Sequence, residues 1–118
     1  MKFTIRKFEQ EDKTEILYMM KVFYSSDAVS TNGSDEIFER DFTACVQDSP
    51  FLEGYVLTNN DEILGYVMLA KSFSTEFGKP CIWLEDLYLK PEHRGKGIIP
   101  EVIKYVENLY KNCILRLE

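Results

Sequence analysis

The stretch Leu84-Glu85-Asp86-Leu87-Tyr88-Leu89-Lys90-Pro91-Glu92-His93-Arg94-Gly95-Lys96-Gly97-Ile98 decides how this chain is read. Its first part closes a nearly continuous apolar run, Cys81 to Leu89, with two acids near the middle. That pattern predicts a central strand buried on both faces. Pro91 to Gly97 is a tight polar segment. From Ile98 a helix is predicted, with Ile99, Val102, Ile103, Val106, Leu109 and Tyr110 on one side. A buried strand thus runs into a turn holding Arg94-Gly95-Lys96-Gly97, and the turn opens a helix. Two glycines let the backbone approach a ligand closely, and a helix N-terminus offers unpaired N–H groups and a positive dipole. Phosphate suits such a nest, and Arg94 and Lys96 add positive charge. The plainer alternative is a helix-entry loop whose glycines only make the turn. The loop is not a P-loop, because Lys96 is not followed by Ser or Thr and the upstream glycine is missing. It is not a dinucleotide fingerprint either, since Pro100 stands where a third glycine belongs.

Working outward, Phe3 to Phe8 alternates apolar and polar and predicts a half-buried strand. Glu9, Glu11 and Asp12 suit the start of a helix, and Ile16, Leu17, Met20, Phe23 and Tyr24 repeat at helical spacing. Ser25 to Gly33 reads as a loop. A second helix follows from Ser34, with Asp35 and Glu36 in its first turn and Phe38, Phe42, Cys45 and Val46 inward. Phe51 to Thr58 and Ile63 to Phe73 form a hairpin about the turn Asn59 to Glu62. Ser72 to Pro80 reads as a loop, with Gly78 and Pro80 as breakers. Cys113 to Leu117 is a last strand, returning beside the buried one as a parallel crossover. The order is β-α-α-β-β-β-α-β, in one domain spanning 1–118.

Composition narrows the function classes. The chain has 118 residues, 45% hydrophobic and 29% charged, as in a globular domain. Its 14 Lys and Arg against 20 Asp and Glu give a net charge of −6, which argues against nucleic acid as a partner and tolerates cationic small molecules. No apolar run reaches the ~20 residues of a membrane span, and the N-terminus lacks an apolar signal core. Cys45, Cys81 and Cys113 form no CxxC pair, and one histidine argues against a His/Cys zinc site, so no metal is expected. Free thiols, no signal and no span together read as cytoplasmic.

The segment Trp83 to Ile98 resembles motif A of the GCN5-related N-acetyltransferases, the GNAT superfamily. Leu-Glu-Asp-Leu-Tyr-Leu followed by Arg-Gly-Lys-Gly-Ile is most similar to its diamine (spermidine/spermine) acetyltransferase-like branch. The resemblance implies an α/β acyl-CoA N-acyltransferase fold, a mixed sheet flanked by helices, and acetyl-CoA as cosubstrate. Backbone groups of Leu87, Tyr88 and Leu89 would pair with the pantetheine arm as an added strand. Arg94 belongs to the same loop, and the N–H groups of Gly95, Lys96, Gly97, Ile98 and Ile99 would hold the pyrophosphate. The acetyl group would pass directly to a primary amine of a small cationic acceptor. That amine must first lose a proton, with Glu85 or Asp86 as acceptor, directly or through a water. Glu92 stands where relatives carry Gln or Arg, and Pro100 where they carry a small residue. Relatives continue past a Leu-Arg-Leu-Glu-like strand, and that part supplies a coenzyme-contacting Asn and a general-acid tyrosine. The resemblance therefore implies a domain ending after the fifth strand, incomplete at its C-terminus. A noncatalytic coenzyme-binding remnant is the alternative, and the bare edge of the last strand suggests a homodimer.

Among the remaining residues, His93 is expected to be a solvated loop residue. Cys81, Cys113, Trp83 and the Phe side chains are expected in the core, and Asp27, Asp35 and Glu36 on a solvated face.

Overall fold

The computed structural model describes residues 2–25 and 34–117. The expected loop, apart from Ser25, and Asp27 with it, lie outside the described residues. The elements are β1 (Thr4–Lys7), α1 (Lys13–Tyr24), α2 (Asp35–Val46), β2 (Leu52–Asn59), β3 (Glu62–Ser74), β4 (Lys79–Leu89), α3 (Ile98–Leu109) and β5 (Ile114–Leu117). Their order is the expected one. One five-stranded sheet runs β1-β2-β3-β4-β5. β1 to β4 pair antiparallel and β5 joins β4 in parallel, as a crossover through α3 requires.

The period-two pattern of the central strands feeds two apolar layers. Tyr66 and Met68 of β3 pack with Ile16, Met19 and Met20 of α1 and Phe38, Phe42 and Cys45 of α2. Val67 and Leu69 pack on the other face with Ile98, Val102 and Val106 of α3. Burying each such side chain contributes about 1.5–3 kcal/mol. α2 starts where expected, because the Ser34 hydroxyl accepts the Ile37 N–H at 3.3 Å. Before α1, Arg6 donates to both carboxylate oxygens of Asp12 at 2.8 and 2.9 Å, and the Glu9 N–H donates to the same carboxylate. The far end of α3 is tied to the sheet through Glu53. Its Oε1 accepts from the Tyr55 hydroxyl at 3.0 Å and from the Tyr110 hydroxyl, and Oε2 meets Lys71 Nζ at 2.9 Å.

Several expectations are corrected. Ile98 faces inward in place of Ile99, and Ile99 and Leu109 are exposed. The first turn of the helix sets this phase: Ile98, Val102 and Val106 are spaced by four. The segment Ser72 to Pro80 is mostly strand, since Ser72 to Ser74 pair with Cys81 to Lys79 and only 75–78 turn. Phe51, Phe73 and Phe77 lie at strand ends or in that turn and are exposed, so they are not core. Trp83 and Cys113 are half-buried, and Arg116 lies over the Trp83 ring at 5.4 Å. Cys81, Asp35 and Glu36 lie as expected, the first buried and the acids exposed.

Candidate functional site

The site begins with a slip in the register of β4. Met68 is opposite Asp86, but Leu69 is opposite Leu84, so Glu85 is an extra residue without a partner on β3. Such a bulge reverses the alternation of side chains beyond it. Ile82 and Leu84 face α3, whereas Asp86 and Tyr88 lie on the α1–α2 side and Leu89 returns to α3. Glu85 is left exposed. β5 parts from β4 at the same place: their pairing covers Cys81 to Leu84 only. Among the described residues, the edge of β4 carrying Leu87, Tyr88 and Leu89 therefore has no strand beyond it. An extended ligand could add there through backbone hydrogen bonds.

The two acids expected to act together have opposite surroundings. Asp86 is 4% exposed. Its Oδ1 accepts from the Tyr24 hydroxyl at 2.9 Å and its Oδ2 from the Tyr66 hydroxyl at 3.4 Å. Burial pushes its carboxyl up to about 6, and nearby Asp41 pushes the same way, while the two phenols restrain the rise. Burial likewise raises the Cys45 thiol to about 12, with Asp41, Glu53 and Asp86 adding to it. Cys45 is thus an inert core residue rather than a nucleophile.

Beyond β4, the loop opens α3 as expected. Gly95 and Gly97 adopt φ of 76° and 79°, and a Cβ at either would meet nothing within 4 Å. Their conformation, rather than crowding, requires glycine. Arg94, Gly95, Lys96, Gly97 and Ile99 are exposed, and Ile98 is buried and pins the helix start. Pro100 sits in the first turn, where its missing N–H breaks no helical bond. The Arg94 side chain bends back: Nε donates to the Leu89 carbonyl at 2.8 Å, and the guanidinium lies 5.6 Å from the Tyr88 ring centre. Lys96 borders an open groove of about 1050 Å³, shared with Lys2, Lys104 and Tyr105.

His93 corrects an expectation. It is buried, with Nε2 3.2 Å from Glu62 Oε2 across the sheet's end. The turn Pro91–His93 folds it under β3's first residue. With Glu92 these residues form a set whose oxygens and nitrogen could converge on a cation. A metal on Nε2 would place the ring proton on Nδ1, which is buried with no acceptor. Metal-bound imidazoles are ordinarily held through that second nitrogen. The set fits a hydrogen bond from Nε2–H to the Glu62 carboxylate, bracing the loop, better than a metal centre.

The sequence model of the Acetyltransferase (GNAT) family matches residues 14–118. The chain belongs to that family. Thialysine N-epsilon-acetyltransferase of Bos taurus is 45% identical over 53 residues, which are 43% of this chain and 31% of that protein. The Sus scrofa protein of the same name is 43% identical over the same shares. The matched stretch thus spans less than a third of these relatives. Among solved structures, a possible acetyltransferase of Clostridium difficile 630 superposes with a TM-score of 0.83 at 19% identity, covering 98% of this chain and 78% of that one. A Clostridium acetobutylicum acetyltransferase solved with acetyl-CoA gives 0.80 at 18%, covering 99% and 80%. Both share the GNAT fold. No helix among the described residues is long and apolar enough to cross a membrane.

In this GNAT chain the structure brings Glu85, Asp86 and the strand edge Leu87 to Leu89 together and sets the Arg94 to Ile99 loop just beyond. Sequence reasoning missed Tyr24 and Tyr66 as partners of Asp86. Both stand in apolar stripes, where a tyrosine reads only as bulk. It also missed Glu62 as the partner of His93, 31 residues away. An Asp at the centre of an apolar run was the one available signal, because a buried carboxylate requires donors.

Proposed function

We propose that the chain moves an acetyl group from acetyl-CoA to a primary amine of a small cationic acceptor by direct attack. The observation that carries this reading is the coincidence at Glu85 of bulge, lost β5 pairing and two carboxylates, just upstream of the Gly95–Gly97 nest. The names of the matched relatives support an amine as the acceptor class.

The residues fit the coenzyme: the glycines leave open space, and α3 is a 12-residue helix whose N-terminus is exposed. The N–H groups of Gly95, Lys96, Gly97, Ile98 and Ile99 would hold the pyrophosphate, and Pro100 contributes none. The edge of Leu87, Tyr88 and Leu89 would take the pantetheine arm. Acetyl-CoA, when bound, supplies the activated acetyl group. Glu85, exposed where the strands part, attracts the cationic acceptor. Either Glu85 or Asp86 takes the proton that the amine must lose before it attacks.

Thermal unfolding with and without acetyl-CoA tests the cofactor half. At 100 times its dissociation constant the ligand adds about 2.7 kcal/mol, a rise on the order of 10 °C for a domain of this size. CoA release with a panel of lysine analogues and polyamines tests the rest, and Glu85→Gln should slow it at least tenfold if Glu85 is the base. A rise in melting temperature without CoA release from any amine would leave a coenzyme-binding chain that does not catalyse.

A further inference from the structure

Within that acetyl-transfer reading, on which this inference rests, we infer that the proton leaving the acceptor amine reaches Asp86 through the Tyr24 hydroxyl. Asp86 cannot meet the amine itself. It is 4% exposed, and each carboxylate oxygen already accepts a phenol. Of the two phenols, Tyr66 belongs to a residue with no exposed surface, and its contact is the longer at 3.4 Å. Tyr24 is half-buried, stands at the last position of α1 and donates at 2.9 Å. It is the partner of Asp86 that also reaches the protein surface. Glu85, its neighbour, is exposed and suits attraction of the cation.

The bulge explains why the carboxylate lies within reach of α1 at all. Without the extra residue, Asp86 would share the α3 side with Leu84 and Tyr24 could not touch it. The proton step balances simply. An N–H bond of the ammonium breaks as a new O–H bond forms at Tyr24 Oη, and the phenol's own hydrogen passes to Asp86 Oδ1. The phenol is neutral before and after, so no tyrosinate forms. The positive charge of the amine and the negative charge of the carboxylate disappear together. The groups acting on Asp86 suit this role. They are Tyr24 from α1, Asp41 and Cys45 from α2, and Tyr66 from β3. Asp41 and burial both favour the protonated acid, so Asp86 can hold a proton near neutral pH.

The test is kcat/KM against pH for the wild type, Tyr24→Phe, Asp86→Asn and Tyr66→Phe, using an amine that the wild type acetylates. Phe keeps the ring against Phe23 and Phe38. Removing the hydroxyl should lower the rate at pH 7 by roughly 100-fold. The deficit should close towards pH ~10, where the amine loses its proton unaided. Asp86→Asn should show the same closure, and the double variant should be no slower than either single one. Tyr66→Phe removes a donor that restrains the Asp86 carboxyl, so it should move the acid limb of the profile to higher pH while keeping the wild-type plateau. A purely structural role for Tyr24 would lower the rate by one factor at every pH. Such a constant deficit, or a Tyr24→Phe rate within threefold of wild type, overturns the relay while acetyl transfer stands. Tyr24→Met gives the same reading should Tyr24→Phe not fold. Failure of the wild type to acetylate any amine overturns both.

Discussion

Gly65 of β3 is opposite Leu89, in the part of β4 that would meet coenzyme. A Cβ built there would lie 2.1 Å from the Tyr88 carbonyl oxygen and 3.0 Å from the Leu89 Cα, both backbone atoms. No rotamer change relieves such a contact. An ordinary carbon–oxygen approach is about 3.3 Å or more, so Gly65→Ala must spread the strands by about 1 Å. Overpacking of this kind costs typically 1–3 kcal/mol, and the stiffer unfolded chain offsets about half a kcal/mol. At roughly 4 °C per kcal/mol, melting should fall by about 2–10 °C, read by circular dichroism. Gly95→Ala is the control. Nothing lies within 4 Å of its Cβ, but its φ of 76° penalises a side chain by about 1–2 kcal/mol, so it should cost less. Melting of Gly65→Ala at or above that of the wild type, or a larger loss from Gly95→Ala, counts against a backbone clash at Gly65.

Two further predictions concern charge. Asp86 titrates near 6 in the native protein against about 4 unfolded, chiefly because it is buried. The native state therefore holds the extra proton, and its stability falls as pH rises from about 4 to 6, by on the order of 2–3 kcal/mol. Urea unfolding of wild type minus Asp86→Asn across that window should show the decline, and a flat difference counts against it. Burial alone would push Glu53 up, but donation from Tyr110, Lys71 and Tyr55 holds it below the usual carboxylate range. Its contribution is present at neutral pH and is lost as pH falls through that lowered value. Glu53→Gln should cost about 1–3 kcal/mol at pH 7 and less in acid, with unchanged stability at pH 7 as the contrary result.

Most of the fold could be read from the sequence because its signals are local and periodic. Phe38, Phe42 and Cys45 point inward at helical spacing, and the Cys81 to Leu89 run marks the buried strand. The loop with Gly95 and Gly97 was equally plain, since positive φ at a helix entry has a short-range residue signature. What escaped was set by contacts distant in sequence or by a count of one. Nothing in Leu84-Glu85-Asp86-Leu87 announces that Glu85 is the surplus residue; that follows from pairing with Met68 and Leu69 on another strand. The two carboxylates therefore looked equivalent and are not. The same holds for His93, whose ring meets Glu62 from another strand, and for Tyr110, whose hydroxyl finds Glu53 from the far end of α3.

The sheet's neighbours follow chain order, and this bears on how the site comes into being. β2, β3 and β4 are joined by two short turns, so their pairings close small loops and should form early. β5 can take its place only after α3 has crossed the sheet, and it is held by four register pairs. The place at Glu85 where the strands part is thus bounded by a wall that forms early and a flap that docks late. Partial release of α3 and β5 would expose the edge of β4 while the meander stays intact, so the amides of α3 and β5 should exchange with solvent sooner than those of β2 to β4.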